Sequence, residues 1–369
     1  MTSSDLYPVS RLAAVQEATA KAGLDALLLT PGPDLRYVSG YDAKPLERLT
    51  CLVVPAAAEP YMMVPRLELP AAQASPAARL GLEFVAWDET EDPYVIAAAR
   101  LGGAAKVGLA DRMWAMSSLR FREVLPRAEQ VLAGSVLREL RMRKSPGEVA
   151  ALREAGEAID GVHRLVPGLR AAARTEREVG RDIAEAILAS GHATVDFVIV
   201  ASGPNSASPH HDVSDRVIQA GEPVVVDIGG QLHNGYCSDS TRTYSVGEPP
   251  ADFAAYYEVL RRAQEAACLA VRPGVSCESI DAAARDVIAE AGYGERFIHR
   301  TGHGIGIETH EEPYIVAGNG EPMEAGFAFS VEPGIYLAGR HGARIEDIVV
   351  CTESGGERLN NTPRDLVIV

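Results

Sequence analysis

The chain has 369 residues, 47% hydrophobic and 23% charged, the composition of an ordinary globular protein and a length that suggests two domains with a large buried core. A formal net charge of −16 excludes a nucleic-acid binder, which needs a basic stripe against phosphates, and is otherwise a solubility feature. The five cysteines, Cys51, Cys237, Cys268, Cys277 and Cys351, form no C-x-x-C pair, which points to a reducing compartment with inert thiols.

MTSSDLYPVS lacks a basic region followed by an apolar run. No stretch reaches the roughly 18 uninterrupted apolar residues of a membrane span, so a cytoplasmic protein that engages no membrane is expected. Residues 11–22 have helical spacing (Leu12, Val15, Ala18, Ala22) and a stop at Gly23. LDALLLT reads as a buried strand closed by Pro31-Gly32-Pro33. CLVVP, YMMVP, LEFVAW and KVGLA read as further strands, with helices near 93–101 and 116–125. Strands alternating with helices make residues 1–140 an α/β layer domain. It holds no acid, base or metal constellation, so a scaffold or subunit-contact role is expected of it.

A boundary falls at VLRELRMRKSPGEVAALREAG, a basic patch in an acidic chain. Ser145, Pro146 and Glu148 supply an N-cap, a proline at N1 and an acid at N3 for a long helix. Thr175-Glu176-Arg177-Glu178 repeats the capping logic for a second helix ending near Gly191. LVPGLRAAARTEREVGRDIAEAILASG is echoed by AVRPGVSCESIDAAARDVIAEAGYG: each has a Pro-Gly break, a helix containing Arg-Asp and a terminal glycine. Residues 147–369 therefore read as one domain of two related halves, each giving a helix pair and part of a shared sheet. Chance similarity between amphipathic helices is the competing reading.

The chemistry lies downstream. EPVVVDIGG is a β-branched run ending in Asp227, and a buried carboxylate there is costly unless paired or bound to metal. In SDSTRTYSV alternation puts Asp239, Thr241 and Thr243 on one face. Two antiparallel strands joined through Gly235 would bring Asp227 and Asp239 to one point. His303 sits in GHGIG, whose glycines allow close approach, and His310 follows in THEEP. Glu332 ends the run FAFSV before Pro333-Gly334, and in RIEDIVV Arg344 and Glu346 share a strand face. Four carboxylates and one imidazole suit two divalent cations. Carboxylate favours Mn²⁺ or Mg²⁺, and imidazole favours Zn²⁺, Co²⁺ or Fe²⁺. Without metal the same carboxylates would repel one another and hold protons.

The order and context of these motifs resemble the pita-bread metallopeptidases: Xaa-Pro aminopeptidase, Xaa-Pro dipeptidase (prolidase), methionine aminopeptidase and their non-metallic relative creatinase. The resemblance covers the whole chain. It implies an α/β (α+β) protein with a creatinase/prolidase-type N-terminal α/β domain over residues 1–140, which favours the proline-directed branch. A pita-bread catalytic domain with pseudo-twofold halves follows over 147–369. It implies Asp227 as the chelating ligand of one metal, Asp239 and Glu346 as bridging carboxylates, and His303 and Glu332 as ligands of the other metal. His210, in ASGPNSASPHHD, and His310 resemble histidines that contact substrate near the scissile bond. His211 reads as a structural neighbour and Arg344 as charge-pairing support. The implied activity is that of a metallo-aminopeptidase. It hydrolyses the N-terminal Xaa-Pro imide bond by a metal-bridging hydroxide, with Glu332 relaying the proton. The implied cofactors are two divalent ions, manganese first, with cobalt, zinc or iron as alternatives. A proline-containing peptide is the implied partner and a homodimer the implied assembly.

Two departures bear on detail. Asp227 and Asp239 are one position further apart than is usual in the family, which places the added residue in the QLHNGY turn. Prolidases tend to carry an arginine between the His303-type and Glu332-type motifs to hold a dipeptide's carboxylate, and residues 311–331 contain no Arg or Lys. That favours longer peptides over a strict Xaa-Pro dipeptidase, unless the cation comes from elsewhere. The other readings are a creatinase-like non-peptide amidinohydrolase and an inactive peptide-binding homologue. Creatinases lack the metal ligands and inactive homologues lose them, whereas all five are present.

Overall fold

The computed structural model of the protein describes residues 6–169 and 171–369. They form two compact units, one ending at Arg141 and the other spanning Met142–Val369. In the first unit the strands are β1 (Ala26–Leu29), β2 (Cys51–Pro55), β3 (Tyr61–Pro65), β4 (Glu83–Trp87), β5 (Lys106–Leu109) and β6 (Glu129–Leu132). They form a six-stranded sheet in the order β4-β3-β2-β1-β5-β6. The apolar run of β1 is buried at every position, as a strand covered on both faces must be. Helices α1 (Val9–Lys21), α2 (Pro33–Ser39), α3 (Leu69–Ala74), α4 (Pro93–Arg100), α5 (Ala115–Val124) and α6 (Gly134–Met142) intervene. At α4, Asp92 accepts from the N–H groups of Tyr94 and Val95, and Pro93 occupies the first turn. An Asp N-cap and a first-turn proline are ordinary helix-start features. Tyr94 then meets Phe121 of α5 edge to face at 5.0 Å.

The second unit opens on α7 (Pro146–Leu165) and α8 (Glu176–Ala189), each with the capping box expected of it. An antiparallel meander follows: β7 (His192–Ser202), β8 (Glu222–Leu232) and β9 (Cys237–Val246). Ile159, Val162, Val179, Ile183 and Ile187 of the helix pair pack on Val200, Val226 and Ile228 of the meander. The second half repeats the plan with α9 (Phe253–Ala270) and α10 (Cys277–Glu290). Its strands are β10 (Gly302–Gly304), β11 (Glu311–Ile315), β12 (Ala328–Val331), β13 (Gly334–Leu337), β14 (His341–Arg344), β15 (Asp347–Thr352), β16 (Gly355–Arg358) and β17 (Val367–Ile368). The expected shared sheet is divided: one sheet runs β11-β10-β12-β15-β16, another β17-β9-β8-β7, and β13-β14 form a ribbon. Among the described residues no helix is long and apolar enough to cross a membrane, and the five cysteines are free thiols.

One clasp joins the two sheets. Arg242 of β9 pairs with Asp347 of β15 at 2.6 Å and donates to the carbonyls of Thr241, Glu346 and Thr362. Asp347 also accepts from Gln264 and Arg358 and is fully buried. Burial pushes its carboxyl upward, but the Arg242 charge outweighs this and holds it below the usual range. Asp347→Ala leaves Arg242 charged and buried without its anion. We expect it to destabilise the protein by about 3–5 kcal/mol, read from urea unfolding. A loss below about 1 kcal/mol, the range of an exposed pair, would show the clasp to be dispensable.

Candidate metal centre

β8 and β9 set Gly229 opposite Asp239 and Asp227 opposite Thr241. Asp227 and Asp239 therefore share one face of the ladder, diagonally across it. Asp227 lies in the middle of its strand and not at the expected end, because β8 runs on through Gly229 and Gly230 to Leu232. A Cβ at Gly229 would lie 2.5 Å from Ser238 O and from the Phe197 ring. The two glycines thus serve close packing and not a turn. His303 lies in β10, opposite Tyr314 of β11, and Glu332 follows β12 directly.

RIEDIVV is not one strand. It breaks after Arg344, and Glu346 lies between β14 and β15, so the expected shared strand face does not form. Two bonds account for the break. The Glu346 N–H donates to Thr241 O at 3.1 Å, and Thr241 Oγ1 donates to Glu346 Oε2 at 2.7 Å. They draw the chain toward the neighbouring sheet.

The structure brings the five acid and imidazole side chains together. Donor atoms of Asp227, Asp239 and Glu346 lie within 4.8 Å of one another, as do those of His303, Glu332 and Glu346, and those of Asp239, His303 and His310. His303 Nδ1 lies 3.1 Å from Gly304 O. A carbonyl only accepts, so Nδ1 carries the proton and Nε2 is a bare lone pair. That lone pair faces Glu332 Oε1 at 3.3 Å and Asp239 Oδ2 at 3.6 Å.

Asp227 Oδ1 and Glu346 Oε1 are buried acceptors without a hydrogen-bond partner. Burial, followed by the charges of neighbouring carboxylates, drives Asp239 and Glu346 well above the ordinary carboxylate range. Burial likewise raises Glu332 to about 7, and burial with the nearby His310 lowers His303 to about 3. An imidazole lone pair aimed at carboxylates, orphaned buried acceptors and carboxyls forced to keep protons are all relieved by cations in their midst. The donor set fits two divalent ions.

Arg344 anchors the set from behind. Its guanidinium pairs with Asp227 Oδ2 at 2.5 Å and donates to Tyr336 Oη and Thr241 Oγ1. Tyr336 Oη in turn meets His299 Nε2 at 2.9 Å. In front lies a cavity of about 730 Å³ lined by all five side chains, by Arg344, and by His210, His211, His299, Arg300 and His310. The rings of His310 and His303 meet edge to face at 4.1 Å.

Two residues, one lining the cavity and one behind it, carry no sign of their place in the sequence. The Arg300 guanidinium stacks over the Tyr314 ring at 4.4 Å and makes no hydrogen bond or ion pair with any described residue. It stands three positions before His303, outside residues 311–331. Glu176, noted only as part of a capping motif, is a buried acceptor for His211. A cap position gives no sign of such a long-range contact.

Comparison with known proteins follows the same lines. Residues 150–353 match the model described as metallopeptidase family M24, and residues 11–143 match the creatinase/prolidase N-terminal domain. The chain is 55% identical over 363 residues to a probable dipeptidase PepE of Mycobacterium tuberculosis, covering 97% of this chain and 96% of that one. It is 35% identical over 346 residues to an Xaa-Pro dipeptidase of Lactobacillus helveticus, covering 91% and 92%. Among solved structures, dipeptidase PepE from Mycobacterium ulcerans superposes with a TM-score of 0.92 at 55% identity, covering 98% and 97% of the two chains. Prolidase from Thermococcus sibiricus gives 0.90 at 37% identity, covering 97% and 98%.

A Cβ on Gly302 would stand 1.8 Å from Ser330 O, on the strand that supports His303. Gly302→Ala should force β10 away from β12, destabilise the protein by about 1–3 kcal/mol and weaken Mn²⁺ binding in titration calorimetry. A variant with wild-type stability and ion affinity would show that β10 yields without moving the imidazole.

Proposed function

The chain belongs to metallopeptidase family M24, and on that premise we propose that it is a dinuclear exopeptidase cleaving the Xaa-Pro imide bond, with Xaa-Pro dipeptides as its substrates. It is a peptidase; substrate length, metal count and residue roles are the proposed part. The observation that carries the metal reading is the His303 lone pair directed at Glu332 and Asp239. Asp227, Asp239 and Glu346 would hold one ion, and Asp239, Glu346, His303 and Glu332 the other. The carboxylate-rich donor set favours manganese. A homodimer in the cytoplasm completes the proposal, in keeping with the family and the free thiols.

When bound, the ions supply Lewis acidity for the scissile carbonyl and acidify water beside it. The chain supplies the rest. Ser330 Oγ donates to Glu332 Oε1 at 3.3 Å, which leaves Oε2 to take the proton of the attacking water. His310 and His210 line the cavity and can donate hydrogen bonds to the developing oxyanion and the leaving nitrogen. As the C–N bond breaks, the proline nitrogen must receive a proton to leave as a secondary amine. Asp227 can accept from the substrate's free amine, which fixes the exopeptidase register.

Arg300 bears on length. The sequence reading favoured longer peptides because residues 311–331 lack a cation. The cavity has one from outside that segment, and a half-buried guanidinium without an anion suits the carboxylate that a dipeptide presents close to its scissile bond. The dipeptidase names of the relatives favour the same length.

Metal-replete enzyme should cleave Xaa-Pro dipeptides faster than Xaa-Pro amides or tripeptides. No turnover on any Xaa-Pro peptide with both ions bound would sink the proposal. Glu346→Gln replaces one of the mutually repelling carboxyls with a neutral amide. After chelation its melting temperature should equal or exceed that of the wild type, whereas added Mn²⁺ should stabilise the wild type more, with turnover lost. Equal metal stabilisation of the two would refute a ligand role. Arg300→Gln should raise KM for the dipeptide by about tenfold to a hundredfold, the worth of a charged hydrogen bond, while activity on the amide stays within a factor of about three. Equal losses on both would deny it the carboxylate.

A further inference from the structure

The side chain of His210 makes no hydrogen bond or ion pair with any described residue, so its place in the cavity depends on how its backbone is held. Residues 209–213 have one side-chain hydrogen bond to the rest of the described chain, from His211 Nε2 to Glu176 Oε2 at 2.8 Å, with Val213 adding apolar packing. The same carboxylate grips both flanks. Ahead of His210 it accepts from Ser202 N–H at 2.8 Å, Ser202 Oγ at 2.7 Å and Asn205 Nδ2 at 3.0 Å. Beyond it, Ser214 donates through Oγ at 2.6 Å and N–H at 3.3 Å. Ser206 has a separate tie to the N–H of Gly342, but that lies upstream of the free stretch. Glu176 is wholly buried at the first position of α8, where the positive end of the helix dipole favours a carboxylate. It therefore acts as the hub on which the cavity-facing segment hangs.

We propose that Glu176 is the positioning residue for His210, fixing that imidazole against the scissile bond; the inference rests on the peptidase reading above. Glu176 is not among the residues lining the cavity and acts through the segment it holds. His211, whose Nε2–H is committed to Glu176, is the link across the stretch that carries His210.

The test is a double-mutant cycle of Glu176→Gln and His210→Ala on Mn²⁺-loaded enzyme with an Xaa-Pro dipeptide. The amide keeps an oxygen for some donors but meets the others with N–H. Glu176→Gln should lower kcat by about tenfold to a hundredfold, as misplacement of a catalytic group does. KM should change by less than about threefold, and bound manganese should stay unchanged. In the His210→Ala background the same substitution should cost less than about twofold, because coupled residues are not additive.

An undiminished cost in that background, loss of manganese, or a wild-type kcat for Glu176→Gln would overturn the proposal. So would a His210→Ala enzyme that turns over at the wild-type rate, which leaves nothing to position. Wild-type enzyme inert on every Xaa-Pro peptide would instead remove the peptidase reading. If Glu176→Gln does not fold, His211→Ala, which cuts only the tether across 209–213, enters the same cycle with the same criteria.

Discussion

Several carboxylates and one imidazole are forced toward a common point inside the second unit, and that crowding governs the structure around them. Each would be costly to bury alone, and together they repel. The chain compensates only in part. Arg344 neutralises Asp227 on one side and Thr241 serves Glu346 on another. Asp227 Oδ1 and Glu346 Oε1 remain without partners. A fold built for stability alone would have satisfied those atoms or replaced them with apolar groups. Their incomplete pairing leaves the pocket with the unmet acceptors that cations would satisfy.

Holding such a set needs a rigid frame, and the duplicated plan supplies it. One half contributes a ladder, on which Asp227 and Asp239 are spaced by register and not by loop flexibility. The other contributes His303 from a short strand between glycines, Glu332 from a strand end, and Glu346 from a break between strands. The Arg242–Asp347 clasp ties the halves one residue from Glu346, so the cost of gathering like charges is borne by a buried ion pair beside them. The gathering of these donor side chains and the joining of the sheets are thus one construction. The first unit brings no cluster of metal-ligating side chains among its described residues.

Much of this was legible in the sequence because it is local. Capping boxes at Ser145 and Thr175 follow from residues three apart, and the hairpin that aligns Asp227 with Asp239 follows from alternation. The rest depends on contacts between distant segments. Nothing near Glu346 signals that its N–H will reach Thr241, so the strand break is invisible until the sheets are paired. Arg300 looks like one more surface arginine until Tyr314, on the neighbouring strand, is found beneath it. Glu176 looks like an ordinary first-turn acid, and its true partners begin 26 residues away.

Charge also constrains substrate length, by an argument that needs no further geometry. A dipeptide carries its own carboxylate next to the bond to be cut, whereas a longer or amidated peptide does not. Inside a cavity lined by Asp196, Asp212, Asp227, Asp239, Glu332 and Glu346, that extra negative charge is unwelcome in a poorly screened interior. Bound cations would offset part of that repulsion. Discrimination requires a positive charge that is free to meet the terminal carboxylate. Of the two arginines that line the cavity, Arg344 is already committed to Asp227, Thr241 and Tyr336. The Arg300 guanidinium has a stacked aromatic ring and no ion pair among the described residues, and a preference for dipeptides would have to act through it.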